Sequence, residues 1–335
     1  MKLNEFMIKW YTKSGTVLQF TIYLVMMALL WLQAFVHPVP VITTQSGGQL
    51  YSWLIKLVAG SEMAPVTLAL LLVFLQSFSL FYVFQSNGFF GRSNFLPALI
   101  AMLAFSWNPD FLTLHPVLLS GLFLIITLNA LLTMYGKQAS YHQVFTASFA
   151  LAIASLFWFP IIYLLPAIWF TLFAYRISAW REYVIVIIGF VLPYIYFFSW
   201  MYWEDSLWIG LARFNSILFI LEIAPRFAFV PMLWLSFSAF LLIIAVITVL
   251  NALNDKLISL RRKAWVFFIL AIVPVFVFLF TGWPYLSGNY LFIISLSFFL
   301  TACISFVKRS FWFELILLIS LLAYGVMRFY MALLA

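Results

Sequence analysis

The amino-acid sequence predicts an all-α fold, a polytopic helical membrane protein with about 11 transmembrane helices (roughly 10 to 12). Of the 335 residues, 67% are apolar and 8% are charged, whereas about a quarter of a soluble domain is charged. Apolar runs close to the ~20 residues that cross a bilayer as a helix recur from residue 17 to the C-terminus. This composition, with Cys303 as the single cysteine, excludes a soluble enzyme, a disulfide-stapled secreted domain and an outer-membrane barrel.

The first predicted helix covers residues 17–36. It follows Lys2, Lys9 and Lys13, and it ends beside His37 and Pro38 rather than at the small residues of a signal-peptide cleavage site. We therefore expect a retained anchor with a cytoplasmic N-terminus, because lysines before a first span stay on the cytoplasmic side.

Further spans follow in order along the chain, at 64–84, 94–108, 116–135, 144–158, 160–175, 183–201, 228–250, 265–281, 289–306 and 312–330. When the loops between them alternate between the two sides of the membrane, all but four of the 17 Lys and Arg residues fall on the cytoplasmic side. The four on the outer side are Lys56, Arg213, Arg226 and Arg328. This asymmetry supports the span count, since short cytoplasmic loops retain basic residues.

Two interpretations fit the segment from 144 to 175, where two short apolar runs meet at Phe159 and Pro160. It is either one long broken helix or a hairpin of two short helices that meet near the outer face. The basic residues favour the hairpin, because Lys137 before it and Arg176 after it then both lie inside. The helix count of the whole chain depends on this choice.

Short amphipathic helices are predicted on the outer face at 49–60 and within 201–227. No soluble domain interrupts the spans, so we expect residues 1–335 to form a single integral membrane domain. The net charge of +8 then indicates orientation and contact with anionic membrane lipids, not nucleic-acid binding. The densest basic stretch, at 254–265, is either an orientation anchor or a specific lipid or partner site.

The predicted spans carry no charge at their centres, where an isolated charge costs about 2.5–3.5 kcal/mol and therefore indicates function. This counts against proton pumps, ion-coupled antiporters and voltage sensors. Gln76 and Asn129 are the strongest mid-span polar groups, and each either hydrogen-bonds between helices or lines a polar substrate path. The sequence also has no dinucleotide, P-loop, zinc-protease, CxxC or nucleophile-elbow motif.

The candidate functional residues lie in the outer loops. Asp110 and His115 are the catalytic candidates, as a general base or metal ligand, although Asn-Pro-Asp also fits a turn and Pro116 a helix start. Candidates for binding a substrate or its phosphate are Arg213, Arg226, Glu204, Asp205 and Glu62. Glu62 equally fits a helix N-terminus, where a carboxylate is favourable. These carboxylates could hold a divalent metal, but their spacing does not identify one.

The stretch from His115 to Asp205 has a recognisable order. It consists of an outer turn, a long span, an inner loop, a short hairpin, the basic loop RISAWREY and a span ending at MYWED. It resembles the middle of the C-type glycosyltransferase fold, whose members use polyprenyl-phosphate-linked sugars. Most of the chain resembles an uncharacterised family of multi-spanning bacterial inner-membrane proteins that share the hairpin and the sequence of Trp180, Arg181 and Glu182.

The first resemblance implies that the substrate is a polyprenyl-phosphate-linked sugar handled at the outer face, and the second implies a multi-pass protein of the bacterial inner membrane. The chain departs from the C-type pattern in its first outer loop, because residues 37–50 contain no acid and the first acid is Glu62. The resemblance therefore implies either that the catalytic acid has moved to Asp110 or another acid, or that the activity is lost.

The sequence is compatible with three functions, and it does not decide whether the chain is an enzyme. The first is an enzyme that transfers or processes a polyprenyl-phosphate-linked sugar at the outer face. The second is a non-catalytic subunit or scaffold of a cell-envelope complex, which implies a membrane-protein partner. The third is a transporter of a lipid or small solute.

Overall fold

The structure, a computed structural model, describes residues 11, 14–38, 47–58, 60–61, 63–90, 95–106, 109–137, 139–208, 210–211, 229–253, 257–281 and 289–306. Within these ranges it describes the backbone alone for 109–110, 229–238, 273–281, 289–292 and 306. The described residues are almost entirely helical, as the composition predicts. Their only bridge of the β type pairs Gly47 with Trp158.

The α-helices are α1 Thr16–Val36, α2 Gln49–Val58, α3 Met63–Ser86, α4 Leu96–Ser106, α5 Pro116–Met134, α6 Tyr141–Phe157, α7 Leu165–Ala174, α8 Trp180–Trp203, α9 Phe229–Leu253, α10 Ile258–Thr281 and α11 Asn289–Phe306. Two short 3-10 helices, Pro109–Leu112 and Phe159–Leu164, precede α5 and α7.

Among the described residues, four helices are long and apolar enough to cross a membrane: α1, α3, α5 and α8. The prediction of a helical fold is confirmed for the described residues, and the length and composition of these four helices are consistent with a membrane protein. Helix α4, predicted as a span over 94–108, has only 11 residues and is therefore about 16 Å long. Nearly all of its side chains are buried, so neighbouring helices rather than lipid surround it.

The predicted apolar segments coincide with helices wherever the structure describes them. The segments 183–201, 228–250 and 289–306, for example, fall on α8, α9 and α11. The last predicted span, 312–330, lies outside the described residues. Of the two predicted surface helices, the first corresponds to α2, whereas most of the second, within 201–227, lies outside the described residues.

The segment from 144 to 175 is a hairpin, not one broken helix. Trp158 is extended, with φ −140° and ψ 104°, and it separates α6 from the second arm. Beyond α7, the ring of Tyr175 lies 5.2 Å from that of Tyr135, which follows α5. The chain thus returns to the end of the bundle from which α6 starts.

The helix ends define two faces of the bundle. The His115 face contains the segment 47–51, residues 114–115, the hairpin tip at 157–158 and the end of α8 at 203–205. Opposite it lies the basic face, with Asn87, residues 135–140, 174–182 and 261–263. Hydrogen bonds of Arg262 to Ala174 O (2.7 Å) and of Lys263 to Asn87 Oδ1 (3.0 Å) join the elements of the basic face.

Polar side chains inside the bundle form hydrogen bonds between helices. The hydroxyls of Tyr23 and Ser77 lie 2.5 Å apart, and Trp31 Nε1 donates to Ser106 Oγ at 3.0 Å. The Gln76 amide donates to the Leu118 carbonyl across the α3–α5 contact. Gln76 is fully buried, so its geometry fits the first of its two interpretations, a hydrogen bond that holds helices together. Asn129 is half-buried.

Candidate functional site

The three connections on the His115 face pack against one another. The Gly48 N–H donates to Phe157 O at 2.8 Å, beside the bridge between Gly47 and Trp158. Three residues later, the Tyr51 hydroxyl donates to Leu114 O at 2.8 Å. Helix α2 is thereby fixed both to the hairpin tip and to the turn that carries Asp110 and His115.

His115 is the N-cap residue of α5. Its Nδ1 accepts a hydrogen bond from the Val117 N–H at 3.3 Å, and Pro116 occupies the first helical position. The imidazole is buried and stands edge-on to the Phe111 ring, 5.5 Å away. Because Nδ1 is an acceptor, the neutral ring carries its proton on Nε2.

Burial lowers the pKa of His115 from 6.5 to about 4. Charging the ring would place a positive charge in a buried site without hydration, and it would convert the capping acceptor Nδ1 into a donor. His115 is therefore neutral at neutral pH. Its structural contribution, capping α5, follows directly from this geometry, while its proposed role in catalysis stays a prediction.

We expect the stability of the protein to depend on His115 between pH 6.5 and about 4. Its pKa is lower in the folded than in the unfolded chain, so protons bind preferentially to the unfolded chain. The contribution is complete above pH 6.5 and falls by up to roughly 3 kcal/mol as the pH approaches 4. Unfolding free energies measured over this range, in detergent, test this expectation.

The matched control is His115→Asn, because asparagine is a good N-cap residue that does not titrate. Other acidic groups contribute to the pH dependence of both proteins, so the difference between them isolates His115. Parallel pH profiles of the two proteins would contradict the expectation.

The remaining described candidates lie on the same face as His115. Asp110 is in the 3-10 turn Pro109–Leu112, where the structure describes its backbone. Glu204 and Asp205 follow α8 and are exposed, with Asp205 in the left-handed region at φ 53°. The N–H groups of Glu204 and Asp205 donate to Trp200 O and Tyr202 O, so this pair also ends the helix.

Three predicted binding residues, Arg213, Arg226 and Glu62, lie outside the described residues. Within the part of the chain that the structure describes, no three His, Cys, Asp or Glu residues are grouped so that they could hold a metal ion. Among the described residues, no hydrogen bond or ion pair joins His115 to Glu204 or Asp205. The structure thus brings the described candidates to one face without assembling them into one cluster.

Glu182, on the basic face, is a buried acid that is not among the functional residues predicted from the sequence. Its side chain is only 2% exposed, and its Oε1 accepts a hydrogen bond from the Ser140 N–H at 3.0 Å. Ser140 precedes α6, and Glu182 lies in the first turn of α8. The Glu182 carboxylate thus lies at the positive N-terminal ends of two helices, α6 and α8.

The sequence did contain one signal for Glu182, an acid immediately before the predicted span 183–201, because a carboxylate is favourable at a helix N-terminus. Its burial depends on Ser140, 42 residues earlier in the chain. Local pattern does not predict a contact between such distant residues.

No protein-family model, curated protein or solved structure matches the chain. A function for the chain consequently has to be inferred from its own residues and geometry.

Proposed function

We propose that the chain is an eleven-span protein of the bacterial cytoplasmic membrane and that it serves as a non-catalytic subunit or scaffold of a cell-envelope complex. The supporting observation is the use of its interior polar groups. The side chains of Tyr23, Trp31 and Gln76 all hydrogen-bond to neighbouring helices. Such bonds hold a bundle together, and they are what a structural subunit requires of its interior.

The outward surfaces of α1 and α8 support the same proposal. Large apolar side chains on both helices are exposed, for example Leu29 at 65% and Ile188 at 51%. In water such surfaces would cause association, whereas in a bilayer they contact lipid or the helices of a partner. A subunit of a membrane complex needs apolar surfaces both for contact with lipid and for contact with the helices of its partners.

The distribution of charge supports a cytoplasmic basic face. Among the described Lys and Arg residues, six lie on the basic face and Lys56 lies on α2 at the opposite face. The six are Lys137, Arg176, Arg181, Arg261, Arg262 and Lys263. Exposed Trp180 and Trp203 mark the two ends of α8, about 35 Å apart along the helix. This separation suits aromatic belts on either side of a hydrocarbon core of about 30 Å.

Cysteine labelling tests the orientation. Cys303 is the single cysteine and is buried, so Cys303→Ala gives a background without thiols. In that background, Lys56→Cys should react with a membrane-impermeant maleimide on intact spheroplasts. Arg176→Cys, which replaces a residue that is also exposed, should react only after permeabilisation. The opposite pattern would invert the proposed topology.

Photo-crosslinking tests the scaffold role. A photoreactive amino acid at Leu29 of α1 or Ile188 of α8 should give a discrete protein adduct in the native membrane on at least one of the two surfaces. Each helix is the control for the other, since the exposed fractions are similar. Adducts with lipid alone at both positions would contradict a stable protein partner.

A second candidate is an enzyme that handles a polyprenyl-phosphate-linked sugar. It is favoured by the common location of the Asp110 turn, His115 and the Glu204–Asp205 pair on the His115 face. Native mass spectrometry of the gently extracted protein distinguishes the two proposals. A retained polyprenyl-phosphate species, lost on Asp110→Asn, would favour the enzyme, whereas a stoichiometric protein partner without such a lipid would favour the scaffold.

A further inference from the structure

The junction of α7 and α10 lies on the basic face. Helix α7 ends at Ala174, whose carbonyl oxygen accepts a hydrogen bond from Arg262 Nη1 at 2.7 Å. Just beyond it, Arg176 adopts the left-handed conformation, with φ 59°. This turn is held by hydrogen bonds from the Arg176 N–H to Phe173 O and from the Ile177 N–H to Leu172 O, each 3.0 Å long. The turn and the first part of α10 therefore form one fixed unit.

Three positively charged side chains lie next to one another at this junction. Arg261, Arg262 and Lys263 are consecutive near the N-terminus of α10, an end that is itself positive. The side chains of Arg262 and Lys263 donate to uncharged acceptors, Ala174 O and Asn87 Oδ1 respectively. No ion pair joins these three cations to an acid within the described ranges, so the junction favours a negatively charged ligand.

Two hydrogen-bond donors at the junction are buried and lack a partner: the Tyr175 hydroxyl and Arg261 Nε. They adjoin, in sequence, Ala174 and Arg262, which are bonded to each other. Burial, with a smaller effect of Tyr135, raises the pKa of Tyr175, so its hydroxyl stays protonated and remains a donor. Buried donors without acceptors are unfavourable, and most of all when they are charged.

We propose that this junction binds the phosphate group of an anionic phospholipid in the leaflet at the basic face. A phosphate brings negative charge and several acceptor oxygens, and both a guanidinium and a hydroxyl can donate hydrogen bonds to such oxygens. Exposed Trp265 on α10 and Trp180 at the start of α8 indicate the level of the headgroups, since tryptophan favours that interface. The proposal rests on the membrane location in the proposed function, and it is independent of the scaffold role.

Thermal unfolding of the purified full-length protein in a neutral detergent tests the site. Increasing mole fractions of phosphatidylglycerol should raise the unfolding midpoint further than equal amounts of zwitterionic phosphatidylcholine. Arg261→Gln should weaken the apparent affinity for phosphatidylglycerol about tenfold, as expected for a lost charged hydrogen bond. Lys56→Gln, which removes an exposed cation from the opposite face, should leave the affinity unchanged.

Tyr175→Phe provides a second variant that removes a single oxygen, in case Arg261→Gln does not fold. We expect it to weaken phosphatidylglycerol binding about threefold. An unchanged affinity in both variants would overturn the site. Equal stabilisation by phosphatidylcholine, or by sodium phosphate without lipid, would overturn the choice of an anionic lipid as the ligand.

Failure of this proposal is distinguishable from failure of the proposed function. Binding in micelles does not depend on which face is cytoplasmic, so cysteine labelling in the opposite pattern would change the leaflet and not the site. Likewise, loss of lipid binding in Arg261→Gln would stand whether or not photo-crosslinking at Leu29 and Ile188 finds a protein partner.

Discussion

Gly48→Ala is expected to lower the free energy of unfolding by roughly 3 kcal/mol. A Cβ atom at residue 48 would collide with the Leu156 carbonyl oxygen and lie 2.6 Å from its carbon. Both are backbone atoms, so no side-chain rotation relieves the overlap. Separating the two segments would also remove the 2.8 Å hydrogen bond from the Gly48 N–H to Phe157 O.

The buried Cys303 thiol gives a direct readout of this loss. A thiol-reactive dye labels it as the protein unfolds, and titration with a denaturing detergent then yields the change in free energy. Gly60→Ala is the matched control, because a Cβ there meets no atom within 4 Å; we expect a change within about 0.5 kcal/mol. If both variants unfolded like the parent, α2 would not be packed on the hairpin tip as described.

Gly189→Ala is the second substitution with a large expected effect, about 1–3 kcal/mol. Helices α6 and α8 run parallel, and at Gly189 they approach so closely that an added Cβ would overlap with Ser148 Oγ. It would also lie 3.1 Å from the Phe145 carbonyl oxygen. Small residues at such contacts allow membrane helices to pack closely.

A second substitution in the same pair tests the cause. Ser148→Ala removes the hydroxyl that an added Cβ would meet, and by itself it loses only bonds to carbonyls of its own helix, Val144 O and Phe145 O. The double variant Ser148→Ala, Gly189→Ala should regain about 1 kcal/mol relative to the sum of the single changes. Additive losses would place the cost of Gly189→Ala elsewhere than at Ser148.

The helices of this protein were predictable because the bilayer sets both their length and their composition. The segment 116–135 needed only its apolar run and Pro116 to be recognised as a helix, and the structure has α5 at Pro116–Met134. Basic residues also correctly favoured a hairpin at 144–175, because Lys137 and Arg176 had to be on one side. The first prediction needed only local sequence, and the second needed only the positions of charged residues.

The contacts between helices were not predictable in the same way. The sequence shows that residues 48 and 189 are glycines, but it does not show which atoms approach them. When lipid surrounds one side of an apolar helix and protein the other, both sides are apolar, so the sequence does not reveal which side is buried. Glu182 is similar: its position next to the start of the predicted span 183–201 was visible in the sequence, whereas its burial against Ser140 depends on the packing of the helices. His115 shows both cases. Its position at the start of a helix was predictable from Pro116, whereas its burial and its neutral state depend on the packing of the surrounding residues.

The bridge between Gly47 and Trp158 also determines when α2 can reach its final position during synthesis. Trp158 leaves the ribosome about 110 residues after Gly47, a delay of roughly 5 to 20 seconds at ordinary elongation rates. During that time the first loop, with α2, has no hairpin tip to bind and has to wait at the membrane surface. The amphipathic character of α2, with Leu57 and Lys56 both outward, suits it to waiting there until the hairpin is inserted.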